Sequence, residues 1–169
     1  MRMIQLVMQL GRLWMAILDD DTWCPLCDRI FDRHGWHAAG LCMCGGDKVL
    51  CHDGVRNLVA HFARSAGLSL DVERAGLLPP RLDFPSDNGQ RRPADVFLPR
   101  WDNGTPAALD LAIISPQRQG VVEGASMTAG HAAAAYEAHK RCFQDTDAQW
   151  EAQGIRFVPL VAETSGGWG

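Results

Sequence analysis

The chain has 169 residues, 47% of them apolar and 21% charged. That is enough apolar material for one folded domain of ordinary size, and it excludes wholesale disorder. A formal net charge of −4 excludes a nucleic-acid binder working by overall charge, although a local basic stripe is compatible with it.

The opening stretch "MRMIQLVMQLGRLWMAIL" is apolar but interrupted by Gln5, Gln9, Gly11 and Arg12. It is a poor membrane span and has no small-residue cleavage signature, so residues 1–18 are expected to form a helix packed on the body. Residues 19–52 read as an irregular Cys/His-rich segment. Within it, "CPLCDRIFDRHGWHAAGLC" places three of the six cysteines beside two histidines. Cys24 and Cys27 form a C-x2-C loop, and His37 with Cys42 forms H-x4-C, together four ligands for a tetrahedral Zn²⁺. His34 can stand in for His37, and Cys44 for Cys42. Four protein ligands make such a site structural rather than catalytic, and the cysteines are read as reduced rather than as a disulfide set.

"DGVRNLVAHFARSAG" then predicts a helix with Asp53 as N-cap and Gly67 as its stop. Val55, Leu58, Val59, Phe62, Ala63 and Ala66 form its apolar face. Residues 68–74 fit a strand, and "LLPPRLDFPSDNGQRRP" fits a loop. Asn103-Gly104 signals a hairpin between strands 94–98 and 107–114, because both turn residues tolerate positive φ. That hairpin puts Asp95 and Asp110 on neighbouring antiparallel strands. Two carboxylates there are costly unless paired, hydrogen-bonded or bound to a divalent cation.

From Val121 to Gln144 the pattern is helical, with Gly130 as the point where it breaks. "IRFVPLVAE" is a last strand, followed by the tail "TSGGWG". Helix, strand, strand, strand, helix, strand is the predicted order, an α/β (α+β) domain.

"RPADV", followed after a hairpin by "ALDLAIISP", resembles the paired acidic strands of the PD-(D/E)XK nuclease superfamily, whose αβββαβ core is similar to the predicted order. Residues 24–168 further resemble the restriction-like endonuclease region of non-LTR retrotransposons and related reverse-transcriptase elements. The pieces that carry this are "CPLCDRIFDRHGWHAAGLC", "GGDKVLCHDGVRN", "RPADVFLPRWDNGTPAALDLAIISP", "EAHK" and "FVPLVAETSGGWG", in that order. The resemblance implies an N-terminal extension over 1–23, a zinc-binding segment over 24–52 and an endonuclease-like domain over 53–169. It also implies a piece of a retroelement polyprotein acting on DNA, intracellular and nuclear in a eukaryote.

By the same resemblance, Asp95 and Asp110 hold catalytic Mg²⁺ or Mn²⁺, and the chemistry is attack of a metal-activated water on a phosphodiester. Where the usual pattern has a lysine two residues after the second acid, this chain has Ala112. The retrotransposon relatives place the lysine on the following helix, which points to Lys140. They also show a tyrosine about three residues later, where this chain has Phe143.

His52, Arg56, Arg91 and Arg92 are candidate nucleic-acid contacts, with Arg81 and Arg100 as further cations. Glu73 is a third acid within reach, and a salt bridge to a neighbouring arginine is its plainer role. Glu163 and Trp168 are expected to close the domain over its core. Two other readings compete: a zinc-stabilised nucleic-acid-binding module with decayed catalysis, and a zinc-organised protein-interaction domain.

Overall fold

The computed structural model describes residues 15–38, 42, 47–80 and 92–169. The chain forms two compact units: one of Met1–Cys51, Ile113–Ala135 and Val161–Gly169, the other of His52–Ala112 and Tyr136–Leu160. Arg81, Arg91, Cys44 and most of the expected N-terminal helix lie outside the described residues.

The architecture is mixed α/β. Two short strands, β1 (Thr22–Trp23) and β2 (Ile30–Phe31), form an antiparallel ribbon with Thr22 opposite Phe31 and Trp23 opposite Ile30. A four-stranded sheet has the order β3 (Asp71–Val72), β4 (Val96–Leu98), β5 (Ala107–Ile114), β6 (Arg156–Glu163). Helix α1 (Asp47–Ser65) precedes it. Between β5 and β6 come α2 (Val122–Met127), α3 (His131–Cys142) and α4 (Thr146–Glu151).

The first three strands of the sheet run antiparallel. β6 runs parallel to β5: Arg156 N–H donates to Pro106 O at one end and Thr164 N–H to Ile114 O at the other, which fixes a single direction. The sheet is therefore mixed. β6 lies at its edge, where the missing N–H of Pro159 costs least.

Both faces of β5 are covered, which is why its sequence is a near-continuous apolar run rather than an alternating one. Ala107, Leu109 and Leu111 pack with Val96, Leu98 and the α1 residues Ala60 and Ala63. Ala108, on the opposite face, packs with Leu78, Ala94, Trp150 and Phe157. With the strand period of two, Asp110 belongs to the face of Ala108.

Several expectations are corrected. Residues 15–18 are not helical; Ile17 and Leu18 instead donate their N–H groups to Arg33 O. The 19–52 segment is not wholly irregular, since it contains β1, β2 and the start of α1. α1 begins at Asp47, six residues before the expected cap, because nothing in "DKVLCH" breaks a helix. Asp53 lies within it and pairs with Arg56 at 2.9 Å. The buried stripe of α1 is Val55, Val59, Ala60 and Ala63, whereas Leu58 and Phe62 face solvent. The strand expected over 68–74 shrinks to Asp71–Val72, and its C-terminal end is set by Glu73, which takes a positive φ of 48° and leaves the extended conformation.

Other expectations hold. Gly67 ends α1 with a φ of 79°, and Gly130, at 76°, separates α2 from α3. Asn103 and Gly104 take positive φ of 52° and 81° in the turn between β4 and β5, and the register pairs Leu98 with Ala107.

Candidate functional site

Two groupings of chemistry-bearing side chains stand out, one in each unit. The first is Cys24, Cys27, His37 and Cys42. Among the described residues it is the one group of three or more His, Cys, Asp or Glu side chains whose ligand atoms converge, all within 4.8 Å of one another. Cys24 Sγ lies 3.9 Å from Cys42 Sγ, Cys42 Sγ 4.0 Å from Cys27 Sγ, and Cys27 Sγ 3.2 Å from His37 Nε2. A tetrahedron with Zn–S bonds of about 2.3 Å has edges of ~3.8 Å, so the cage already has the size such an ion needs. These four residues can hold a metal ion, and a three-sulfur, one-nitrogen donor set suits Zn²⁺.

Local hydrogen bonds build the cage. Leu26 N–H points at Cys24 Sγ from 3.4 Å, and that donor is the main reason the Cys24 thiol is lowered to about 6. Desolvation, followed by the neighbouring thiols, pushes Cys27 up to about 11. Asp32 orients the histidine: its Oδ1 accepts from His34 N and Trp36 N at 3.1 Å each, and its Oδ2 from His37 N at 2.7 Å. Asp32 is no ligand but a support, and its signal in the sequence is that of an ordinary cap, an acid five residues before a ligand and at the head of a turn. The choice between histidines falls on His37; His34 instead stacks on Trp36 at 4.8 Å, with its Nδ1 buried and unpartnered among the described residues.

The second grouping follows from sheet register. Val72 pairs with Val96, and Val96 with Leu109. Just past these pairs, Glu73, Asp95 and Asp110 sit next to Val72, Val96 and Leu109 on three neighbouring chain segments. Glu73 N–H donates to Asp95 O at 2.9 Å, continuing the register of β3 on β4, whereas Asp95 N–H donates at 3.0 Å to O of Leu109, the residue already opposite Val96, so the β4–β5 pairing is bulged at Asp95.

Each of these acids has its own partners. Asp95 Oδ2 accepts from Leu111 N at 2.6 Å and lies 3.3 Å from His52 Nε2. Asp110 Oδ2 lies 2.5 Å from Lys140 Nζ. Glu73 is clamped by Arg56 and, at 2.5 Å, by Arg92. Burial raises the Asp110 carboxyl above the ordinary carboxylate range; Lys140 and, more weakly, His52 oppose this, while Asp95 adds to it. The contacts of both Asp95 and Asp110 fall on Oδ2, leaving Oδ1 of each for a further ligand among the described residues.

Arg56 is only 12% exposed and is turned inward onto Asp53 and Glu73. Arg92 is exposed apart from its Glu73 contact, as is Arg100. The tail also departs from expectation. Trp168 is 55% exposed rather than packed over the core, and its backbone bridges to Ala162. The buried carboxylate of Glu163 instead accepts from Ala132 N at 3.0 Å and Ala133 N at 3.2 Å, capping α3.

Beside Asp110 and Lys140 opens a cleft of about 350 Å³, walled by Tyr136, His139, Phe143 and Trp150 among others. Trp150 is fully buried and its indole N–H has no partner among the described residues, a cost of about 1–3 kcal/mol. The segment that closes this wall, Gln144-Asp145, holds two consecutive non-glycine residues at φ 55°, a strained conformation of the kind found at functional sites.

No described protein family matches the chain, and no curated protein does. No helix among the described residues is long and apolar enough to cross a membrane.

Proposed function

We propose that the protein is a metal-dependent DNA endonuclease of the PD-(D/E)XK type and of retroelement origin, with the Cys/His cage as a structural zinc site. The observation that carries this is the meeting of Asp95, Asp110 and Lys140 within one unit. Two acids on adjacent antiparallel strands and a lysine from the following helix are what the resemblance of "RPADV…ALDLAIISP" and "EAHK" requires. The antiparallel order β3-β4-β5 with a parallel β6, preceded by α1, supports the same reading.

In this reading Asp95 and Asp110 would hold an Mg²⁺ or Mn²⁺ ion. The ion supplies an acidified water and charge neutralisation at the phosphate. His52 holds Asp95 in place through its 3.3 Å contact, and the Leu111 N–H fixes the same oxygen. Lys140, placed beside Asp110, would orient the water or stabilise charge on the phosphate. Arg56 and Arg92 keep Glu73 neutralised beside the metal position, and Arg92 with Arg100 offers surface cations for the DNA backbone.

The test is nicking of supercoiled plasmid with Mg²⁺ or Mn²⁺ by the wild type, Asp110→Ala and Lys140→Ala, each verified to be folded and zinc-loaded. Metal-dependent nicking that both substitutions abolish is the expected result. Salt-dependent DNA binding without cleavage would leave a zinc-stabilised binding module in its place, and absence of both would dismiss a nucleic-acid role.

A further inference from the structure

The cleft beside Lys140 has features that the hydrolysis scheme does not use. Tyr136, His139 and Phe143 are spaced by three and four residues, so they share one stripe running off α3. Their rings follow one another closely: Tyr136 to His139 at 5.8 Å and His139 to Phe143 at 5.4 Å between centroids. Lys140 Nζ stands 5.8 Å from the centre of the Tyr136 ring, at the outer edge of cation–π range. An aromatic stripe on a helix normally faces the core. Here Phe143 is 52% exposed and His139 is exposed too, so burial does not account for it.

We infer that this cleft is a stacking pocket for one unpaired nucleobase, held next to the position where Lys140 and Asp110 meet the phosphate. Each of its parts fits that occupant. Aromatic faces stack on any base, whichever its identity. The cleft's 350 Å³ is of small-ligand size and does not admit a continuous base pair. Trp150 closes the inner wall of the cleft with a buried aromatic side chain. The consequence is a substrate class: DNA with an unpaired nucleotide at the cleavage site, as in single strands, flaps or frayed ends, in preference to uninterrupted duplex.

This rests on the endonuclease reading for where the phosphate lies, but the stacking pocket can be measured separately. Fluorescence anisotropy with Ca²⁺ in place of Mg²⁺ would compare a labelled oligodeoxythymidylate with the same strand fully paired. The wild type, Phe143→Ala and Phe143→Trp are the proteins to compare, each checked for wild-type zinc content and circular dichroism. The wild type should prefer the single strand. Phe143→Ala should weaken single-strand binding on the order of tenfold, the size of one base–aromatic stack, and leave duplex binding unchanged, while Phe143→Trp restores the preference. Equal effects of Phe143→Ala on both substrates, or none on either, would overturn the inference even if plasmid nicking is robust. The selective loss in a protein that never cleaves would keep the pocket and remove the endonuclease reading. A wild type that binds neither DNA would end both.

Discussion

Lys140 and Asp110 lie 30 positions apart and meet at 2.5 Å, an α3 ammonium on a carboxylate in the middle of β5. Burial makes the ionised Asp110 costly, and Lys140 is the principal group offsetting that cost. The pair is thus both a structural necessity of an acid in a two-sided sheet and the centre of the proposed chemistry.

Replacing the lysine by a group of similar length without charge, Lys140→Met, should lower metal-dependent cleavage by about 10²- to 10⁴-fold, the usual worth of a positioned proton-transfer group. It should also change how stability follows pH. The folded-state pKa of Asp110 is already raised, and losing Lys140 raises it further. A raised carboxyl contributes stability that is present at low pH and lost as pH climbs through the folded value. The variant's deficit in Tm should therefore be largest at neutral pH and shrink on acidification. A deficit independent of pH would show that Lys140 acts by packing instead.

Asp110→Asn gives the complementary result. It removes the ionisation that burial opposes, so at neutral pH this variant should melt at a higher temperature than the wild type while losing cleavage. The gain should fade as pH falls and the wild-type carboxyl takes up its proton. Thermal melts of both proteins across a pH series test it, and a variant less stable at every pH would sink the argument.

Much of this was legible before any coordinates. The positive-φ pair Asn103-Gly104 placed β4 against β5, which brings Asp95 and Asp110 onto neighbouring segments of the sheet. C-x2-C and H-x4-C picked the four cage residues because metal-ligand spacing is set by short loops. Less legible was anything fixed by contacts far apart in sequence. Asp53 has every local mark of an N-cap, yet α1 runs through it because the six residues before it are helix-compatible and Arg56 takes its carboxylate. Leu58 and Phe62 match the helical period but sit beyond the width of the face that β4 and β5 cover. Arg56 looked like a phosphate contact; its inward turn depends on Glu73, whose positive φ no local pattern announces. The place of Trp150 was equally hidden, since only the packed core sets it in the wall of the cleft.

The Cys/His cage should govern stability more than activity. Cys27→Ser should abolish binding of one equivalent of zinc, whereas His34→Ala should retain it, because His37 rather than His34 joins the cage. Metal analysis of the purified variants reads this directly. A chelator should lower the wild type's Tm, with little further effect on Cys27→Ser, since a closed site adds its binding free energy to folding. Zinc loss in His34→Ala with the fold intact would reassign the fourth ligand.

The cap on α3 makes the last prediction. The helix begins after Gly130, which has no side chain to satisfy the first free N–H groups. Glu163, brought from the end of β6, takes those of Ala132 and Ala133, with Ser165 Oγ 3.0 Å from its second oxygen. The fit is close, since a Cβ on Gly167 would stand 2.8 Å from Glu163 Oε2, and one on Gly130 would stand 2.6 Å from the Trp168 carbonyl. Glu163→Gln keeps an acceptor and loses the charge that favours a helix N-terminus, so it should cost about 0.5–1 kcal/mol. Glu163→Ala strands two buried donors and should cost about 2–3 kcal/mol. Gly130→Ala should destabilise as well, through both its φ of 76° and the carbonyl clash. Urea denaturation of the three variants should give that order for the two Glu163 substitutions, with cleavage per folded molecule unchanged. Equal costs for Glu163→Gln and Glu163→Ala would mean that the charge, and not the acceptor, is what α3 requires.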